Sequence, residues 1–254
     1  MKQIPNLFTL LNLFFGCLAV IFTLQNGLTV MEGAEGVQFV AMPERLWFAS
    51  LFIGLAGLVD FLDGFVARMF KVASPLGKQL DSLADVVSFG VAPGMIMYQF
   101  LRLSYMRQED GLDVSWWALM PALVIPCASA FRLAKFNLDD TQQYGFRGVP
   151  TPAVGLFVAS LPLIYWNSNN GLLIGLMLNK WVLYGLIACL SYLMVSNLPI
   201  MALKFRDFSL KSNLPKILLA ALTILAALFL KWLAVPLAFL LYIILSLAFK
   251  NKTT

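Results

Sequence analysis

In the stretch at 60–85, DFLDGFVARMFKVASPLGKQLDSLAD, four carboxylates (Asp60, Asp63, Asp81 and Asp85) stand within or beside segments apolar enough to cross a bilayer. Charges in such a setting are costly, so they require a partner, most simply a metal ion. Asp60, Asp63, Gly64, Ala67 and Arg68 fall on one helical face at steps of three and four. Gly77, Asp81 and Asp85 do the same at steps of four. Two helices, each with two carboxylates on one face, can build a shared pocket. Four carboxylates in a low-dielectric pocket repel one another, so either some are protonated or cations are bound. The chain has no histidine and no cysteine near this stretch. The cations should therefore be hard and oxygen-seeking: Mg²⁺, Mn²⁺ or Ca²⁺. Four aspartates can hold two of them, and paired divalent ions about 4 Å apart stabilise both the entering and the leaving oxygens at phosphorus. Arg68 adds a fixed fork of donors suited to phosphate, while Gly64 and Gly77 leave room for a ligand to reach the backbone. Phosphoryl transfer at a membrane surface is the expected chemistry.

Apolar helices must position these groups. Of 254 residues, 60% are hydrophobic and 12% charged, with a mean hydropathy of +0.82. A soluble domain carries about 25% charged residues, so the fold class is all-α, a polytopic transmembrane helical bundle. Windows of about 20 residues predict eight spans near 7–24, 47–69, 80–101, 116–136, 150–166, 181–203, 214–231 and 233–249. Only Lys231 and Trp232 separate the last two, which predicts a tight hairpin. The connections at 25–45 and 102–115 are too short to fold alone. Cys17, Cys127 and Cys189 each sit in an apolar run without a CxxC pair and read as small membrane residues. The first apolar run reads as a retained helix rather than a cleaved signal.

Alternating the loops between two sides divides the 18 basic residues thirteen to five. The richer side holds Lys2, Arg68, Lys71, Lys78, Arg132, Lys135, Arg147, Lys204, Arg206, Lys211, Lys216, Lys250 and Lys252. The positive-inside rule makes that side cytoplasmic. Both termini and the carboxylate pocket then face the cytosol, as expected for a multi-pass protein of the cell inner membrane. The net charge of +5 comes from basic residues scattered between apolar runs, which argues against nucleic-acid binding. A cation or proton transporter is the rival from another class. It would spread acidic groups through the depth of several spans, whereas here all four cluster at one end.

Written as a pattern, the stretch is D-x2-D-G-x2-A-R-x8-G-x3-D-x3-D. At every defined position it resembles the signature of the CDP-alcohol phosphotransferase family. The resemblance implies a fold with six core transmembrane helices, usually as a homodimer. That core would occupy 1–205, with a transmembrane hairpin appended at 206–254. It implies that an alcohol attacks the β-phosphorus of a CDP-linked lipid and that CMP leaves. Asp60, Asp63 and Asp81 would then be ligands of two divalent cations, Mg²⁺ or Mn²⁺, and Asp85 would be both ligand and general base. Gly64, Arg68 and Ser74 would contact the CDP-lipid, as would Asp60, with Ala67 and Gly77 leaving space for the nucleotide. Asn6 and Thr9, one turn apart at the start of the first span, lie where the family lines the same site; helix capping is the plainer reading for them.

Further segments bear on the acceptor: IPNLFTLLNLFFG at the start, SFGVAPG at 88–94, FRLAKFN at 131–137 and FRGVPTPA at 146–153. Together they resemble the membrane-embedded bacterial branch of the family that makes phosphatidylserine. The expected substrates are therefore CDP-diacylglycerol and L-serine in a lipid membrane. That branch more often has Arg where Lys135 stands, and Leu and Ser where Val149 and Thr151 stand. Serine is a zwitterion whose carboxylate needs a cation. Arg132 and Lys135, at the cytoplasmic end of the fourth span, and the following Asn137 are the candidates, although Lys135 has no bidentate fork. Glycerol 3-phosphate or an inositol phosphate would be the alternative acceptors.

Overall fold

The structure is a computed structural model that describes residues 4–25, 29–32, 38–41, 45–70, 74–106, 114–138, 146–202 and 210–249. Eleven helices and two short antiparallel ladders are present among the described residues. Helix α1 (Ile4–Leu24) has Pro5 in its first turn, where a missing N–H costs nothing. It packs along α2 (Leu46–Phe70) and against α3 (Pro75–Val86). Ser74 caps α3, its Oγ accepting from Gly77 N–H at 2.9 Å, with Pro75 as the first helical residue.

A π-helical turn, Val87–Val91, joins α3 to α4 (Ala92–Met106). Pro93 has no N–H for the α-helical ladder, and the Ala92 N–H reaches back to the Val87 carbonyl. The widened turn pushes Ser88 and Phe89 outward against neighbours. Ser88 donates to the Asn12 carbonyl at 3.0 Å, beside Gly16 of α1. Phe89, fully buried, wedges between Gly57 of α2 and Gly155 of α7 (Thr151–Asn167). A Cβ on Gly155 would lie 3.0 Å from the Phe89 Cβ, so these helices touch only because the residue is glycine. Gly155→Val is expected to destabilise the fold by about 1–3 kcal/mol through overpacking. Thermal unfolding in detergent measures it, and an unchanged midpoint would contradict this packing.

The chain continues through α5 (Trp116–Leu119), a 3₁₀ turn and α6 (Val124–Leu138). Gly90 and Gly94 bring the π turn and α4 onto Ser129 and Pro126 of α6. After α7 come α8 (Gly171–Met177) and α9 (Lys180–Val195), capped by Asn170 and Asn179 and bent by 61° from each other. The last stretch runs through α10 (Leu210–Leu230), a 3₁₀ turn and α11 (Ala234–Ala248).

Five stretches are long and apolar enough to cross a membrane, six with the bent α8–α9 pair. The eight expected spans are reached by adding the 17-residue α7 and by counting the arms of the last stretch separately. Lys231 takes a left-handed φ of +49°, and α10 packs back on α11, so this stretch is the predicted hairpin rather than one rod.

One expectation is corrected: the sixth span does not run to 203, because α9 stops at Val195. Pro199 disfavours helix before it, and Pro199–Ile200 (β4) instead pairs with Phe146–Arg147 (β3). A separate helix, α8, precedes α9. The 25–45 connection contains a hairpin, Thr29–Glu32 (β1) with Gln38–Ala41 (β2).

All six tryptophans lie at the end of the bundle away from the aspartates. Trp47 begins α2, and with Trp166 and Trp232 it lines a cavity of about 440 Å³. Trp116 and Trp117 follow the end of α4, and Trp181 opens α9, whose Tyr184 hydroxyl meets that of Tyr105 at 2.9 Å. This is an aromatic belt at one membrane interface. Asp85 lies about 31 Å along the helix axis from Met106, at 1.5 Å per residue. By the same measure Asp60 lies about 20 Å along α2 from Trp47, so the carboxylates lie toward the end of the bundle opposite the tryptophans.

Candidate active site

Helix α2 presents Asp60 and Asp63 from one face, and α3 presents Asp81. One carboxylate oxygen from each lies within 4.8 Å of the others. Asp63 is nearly fully buried, and its Oδ2 accepts a hydrogen bond from Thr9 of α1 at 3.0 Å. Asp81 Oδ1 is buried without a hydrogen-bond partner. An unpaired buried carboxylate oxygen is expensive, and a hard cation would satisfy it. Oxygens on opposite sides of such a cation are about 4–5 Å apart, so this donor set fits a divalent ion.

Asp85 sits one turn beyond Asp81 and is not among the three converging carboxylates. It is buried, and its Oδ1 accepts from Asn12 Nδ2 at 3.2 Å. It still interacts electrostatically with all three neighbours. The arrangement therefore separates a trio whose geometry suits a cation from a fourth carboxylate held by an amide. Asn12 itself is fully buried and is gripped through its carbonyl by Ser88 of the π turn. Its own Oδ1 has no partner. Asn12 was not among the residues predicted from the sequence. Its signal was nonetheless present, because it continues the Asn6–Thr9 face by another three residues along an otherwise apolar helix.

Three of the residues expected to hold the CDP-lipid lie together. A Cβ on Gly77 would lie 3.1 Å from both Asn6 Oδ1 and Ser74 Oγ, so Asn6, Ser74 and Gly77 form one small polar corner. Thr9 lies inside α1 and does not cap it. It donates to Asp63 and shares its hydroxyl with the Pro5 carbonyl at 3.1 Å. Gly64 follows Asp63 on α2. The side chains of Ala67 and Arg68, in the last turn of α2, lie outside the described residues.

The three acceptor candidates separate. Arg132 of α6 is 7% exposed, its Nε is buried without a partner, and it acts electrostatically on Tyr242 and Asp85. Lys135 is exposed and donates to Asn197 Oδ1 at 3.0 Å, away from the carboxylates. Asn137 ties α6 to α3: its amide donates to Ser82 at 2.8 Å and its carbonyl accepts from Lys78 at 3.2 Å. Only Arg132 shares the interior with Asp85.

A family model described as CDP-alcohol phosphatidyltransferase matches residues 2–192. Among similar proteins, one from Helicobacter pylori named CDP-diacylglycerol–serine O-phosphatidyltransferase is 36% identical over 197 residues, 76% of this chain and 70% of its own. Proteins of the same name from Bacillus subtilis and Methanocaldococcus jannaschii are 29% and 31% identical. Each covers 65% of this chain, with 78% and 74% of the relative aligned. The aligned share of a relative falls as low as 57% in a second Helicobacter pylori protein. The match spans both aspartate-bearing helices, Asn12, the π turn and Arg132. The chain is a multi-pass membrane protein and belongs to the CDP-alcohol phosphatidyltransferase family.

Proposed function

We propose that this protein transfers the phosphatidyl group of CDP-diacylglycerol to the hydroxyl of L-serine, giving phosphatidylserine and CMP. The observation that carries the reading is the division of labour among the carboxylates: three converge on one point with an open Asp81 oxygen, and Asp85 stands apart on Asn12. Divalent cations, Mg²⁺ or Mn²⁺, held by Asp60, Asp63 and Asp81, with Asp85 at the edge, would supply neutralising charge to the diphosphate and to the entering and leaving oxygens. Asn6, Ser74 and Gly77 form the polar corner that receives the nucleotide, and Gly64, Ala67 and Arg68 would complete the CDP-lipid site as the family resemblance implies. Asp85 takes the proton from the serine hydroxyl as its oxygen bonds to the β-phosphorus. The bond from that phosphorus to the CMP oxygen breaks, and CMP leaves with the electron pair.

Arg132 supports an anionic acceptor. A buried guanidinium with an open N–H edge beside the base is matched to a carboxylate, and relatives named for serine favour that carboxylate over a phosphate. Lys135 and Asn137, bonded elsewhere, are left to shape the cytosolic rim. The excess of basic residues on the aspartate side supports a site facing the cytosol, with both termini there, in the cell inner membrane. The homodimer implied by the family resemblance belongs to the same reading. Purified protein assayed with CDP-diacylglycerol, Mn²⁺ and labelled serine tests the acceptor. CMP release with glycerol 3-phosphate but not with serine would overturn serine as the acceptor.

A further inference from the structure

At the end of the bundle opposite the carboxylates, the turn of the C-terminal hairpin meets α2 and α7 across two adjoining cavities. The larger, about 440 Å³, lies between Trp47 of α2, Trp166 and Asn167 at the end of α7, and Trp232 of the hairpin turn. Ligand sites usually measure about 300–1,000 Å³, and this cavity falls in that range. The smaller, about 210 Å³, shares Asn167 and Trp232 and adds Ser168, Asn170 and Lys231. The family match ends at residue 192. Lys231 and Trp232, from beyond it, therefore close cavities whose other walls are built within it.

Hydrogen bonding inside the smaller cavity spends acceptors and leaves donors. Asn170 Oδ1 accepts from the Leu172 and Leu173 N–H groups at 3.0 and 3.4 Å, which leaves its Nδ2 protons to give. Ser168 Oγ accepts from the Asn170 N–H at 3.2 Å, which leaves its O–H to give. Lys231 is exposed, and among the described residues its ammonium has no hydrogen bond or ion pair. No acidic residue lines either cavity. One cation and two neutral donors, with no carboxylate to satisfy them, match the oxygens of a phosphate. The three tryptophans say what carries that phosphate, because indole rings favour the level of lipid headgroups. A headgroup ammonium would find no counter-charge here, so the ligand is anionic overall. We propose that the two cavities bind one phospholipid of net negative charge from the leaflet opposite the carboxylates. Its phosphate lies on Lys231, Ser168 and Asn170, its glycerol lies among Trp47, Trp166 and Trp232, and it ties the hairpin turn to α2 and α7.

The full chain is placed in phosphatidylcholine nanodiscs doped with phosphatidylglycerol or phosphatidylcholine brominated in the acyl chains, and tryptophan fluorescence reads the approach of the bromines. A charge-assisted hydrogen bond is worth about tenfold in binding, so phosphatidylglycerol should quench at about a tenfold lower mole fraction. Lys231→Gly removes the ammonium and gives the backbone, at φ +49°, the residue that this conformation favours. That variant should stay folded and lose the preference. Lys231→Arg keeps the charge and should keep the preference. Excess inorganic phosphate should not reverse the quenching, because it has no glycerol to place among the tryptophans. Equal quenching by the two lipids overturns the proposal. So does a preference that survives in Lys231→Gly, one that is lost in Lys231→Arg, or reversal by inorganic phosphate. Should Lys231→Gly fail to fold, Lys231→Gln makes the same comparison with the same two outcomes.

Discussion

Asp85→Asn is expected to lower kcat by about 10²–10⁴-fold while the CDP-lipid still binds. The substitution keeps the size of the side chain and a carbonyl oxygen in reach of Asn12 Nδ2, now 3.2 Å from Asp85 Oδ1, so α1 and α3 keep their contact. The trio of Asp60, Asp63 and Asp81 is untouched, and its oxygens lie within 4.8 Å of one another without help from Asp85. What is lost is the group proposed to take the acceptor's proton, for an amide cannot take it. Steady-state CMP release measures turnover, and equilibrium binding of CDP-diacylglycerol to the same preparation checks the site. Full turnover in the variant would remove Asp85 from the base role. Loss of lipid binding together with turnover would make it mainly a ligand.

The spacing of the aspartates told more than their number. Steps of three and four predicted that Asp60 and Asp63 share a face and that Asp81 and Asp85 share another, and two helices do present them inward. The pattern could not say that Asp85 stands off from the trio, because that offset depends on how α1 inserts Asn12 against α3. Hydropathy located the spans but not the π turn at Val87–Val91. Its cause, a proline one residue into the next helix, becomes visible only when Ser88 and Phe89 are seen against Gly16 and Gly155. Lys135 illustrates the opposite failure. Sequence position alone grouped it with Arg132, but Lys135 lies about 4.5 Å farther toward the end of α6, where its ammonium is exposed and bonds Asn197.

Asp81→Asn should produce opposite effects on stability and activity. Two unit charges 4.8 Å apart repel by about 3 kcal/mol at an effective dielectric constant near 20. Asp81 feels both Asp60 and Asp63, and its Oδ1 has no hydrogen bond to offset this. In chelator, replacing it by a neutral amide therefore relieves strain, and the unfolding midpoint should rise by a few degrees, at about 2–4 °C per kcal/mol. Adding Mn²⁺ should reverse the order. A cation at a hundred times its dissociation constant stabilises the unaltered protein by about 2.7 kcal/mol, whereas the variant has lost one of three ligands and should respond weakly. Turnover should fall by about a thousandfold, because several kcal/mol of charge stabilisation at phosphorus is lost with the ion. This is the pattern expected of a site whose strain is kept for its chemistry. Thermal unfolding with and without Mn²⁺, beside the CMP-release assay, resolves the two effects. A lower midpoint in chelator would show that Asp81 serves the fold, and an undiminished response to Mn²⁺ would exclude it as a ligand.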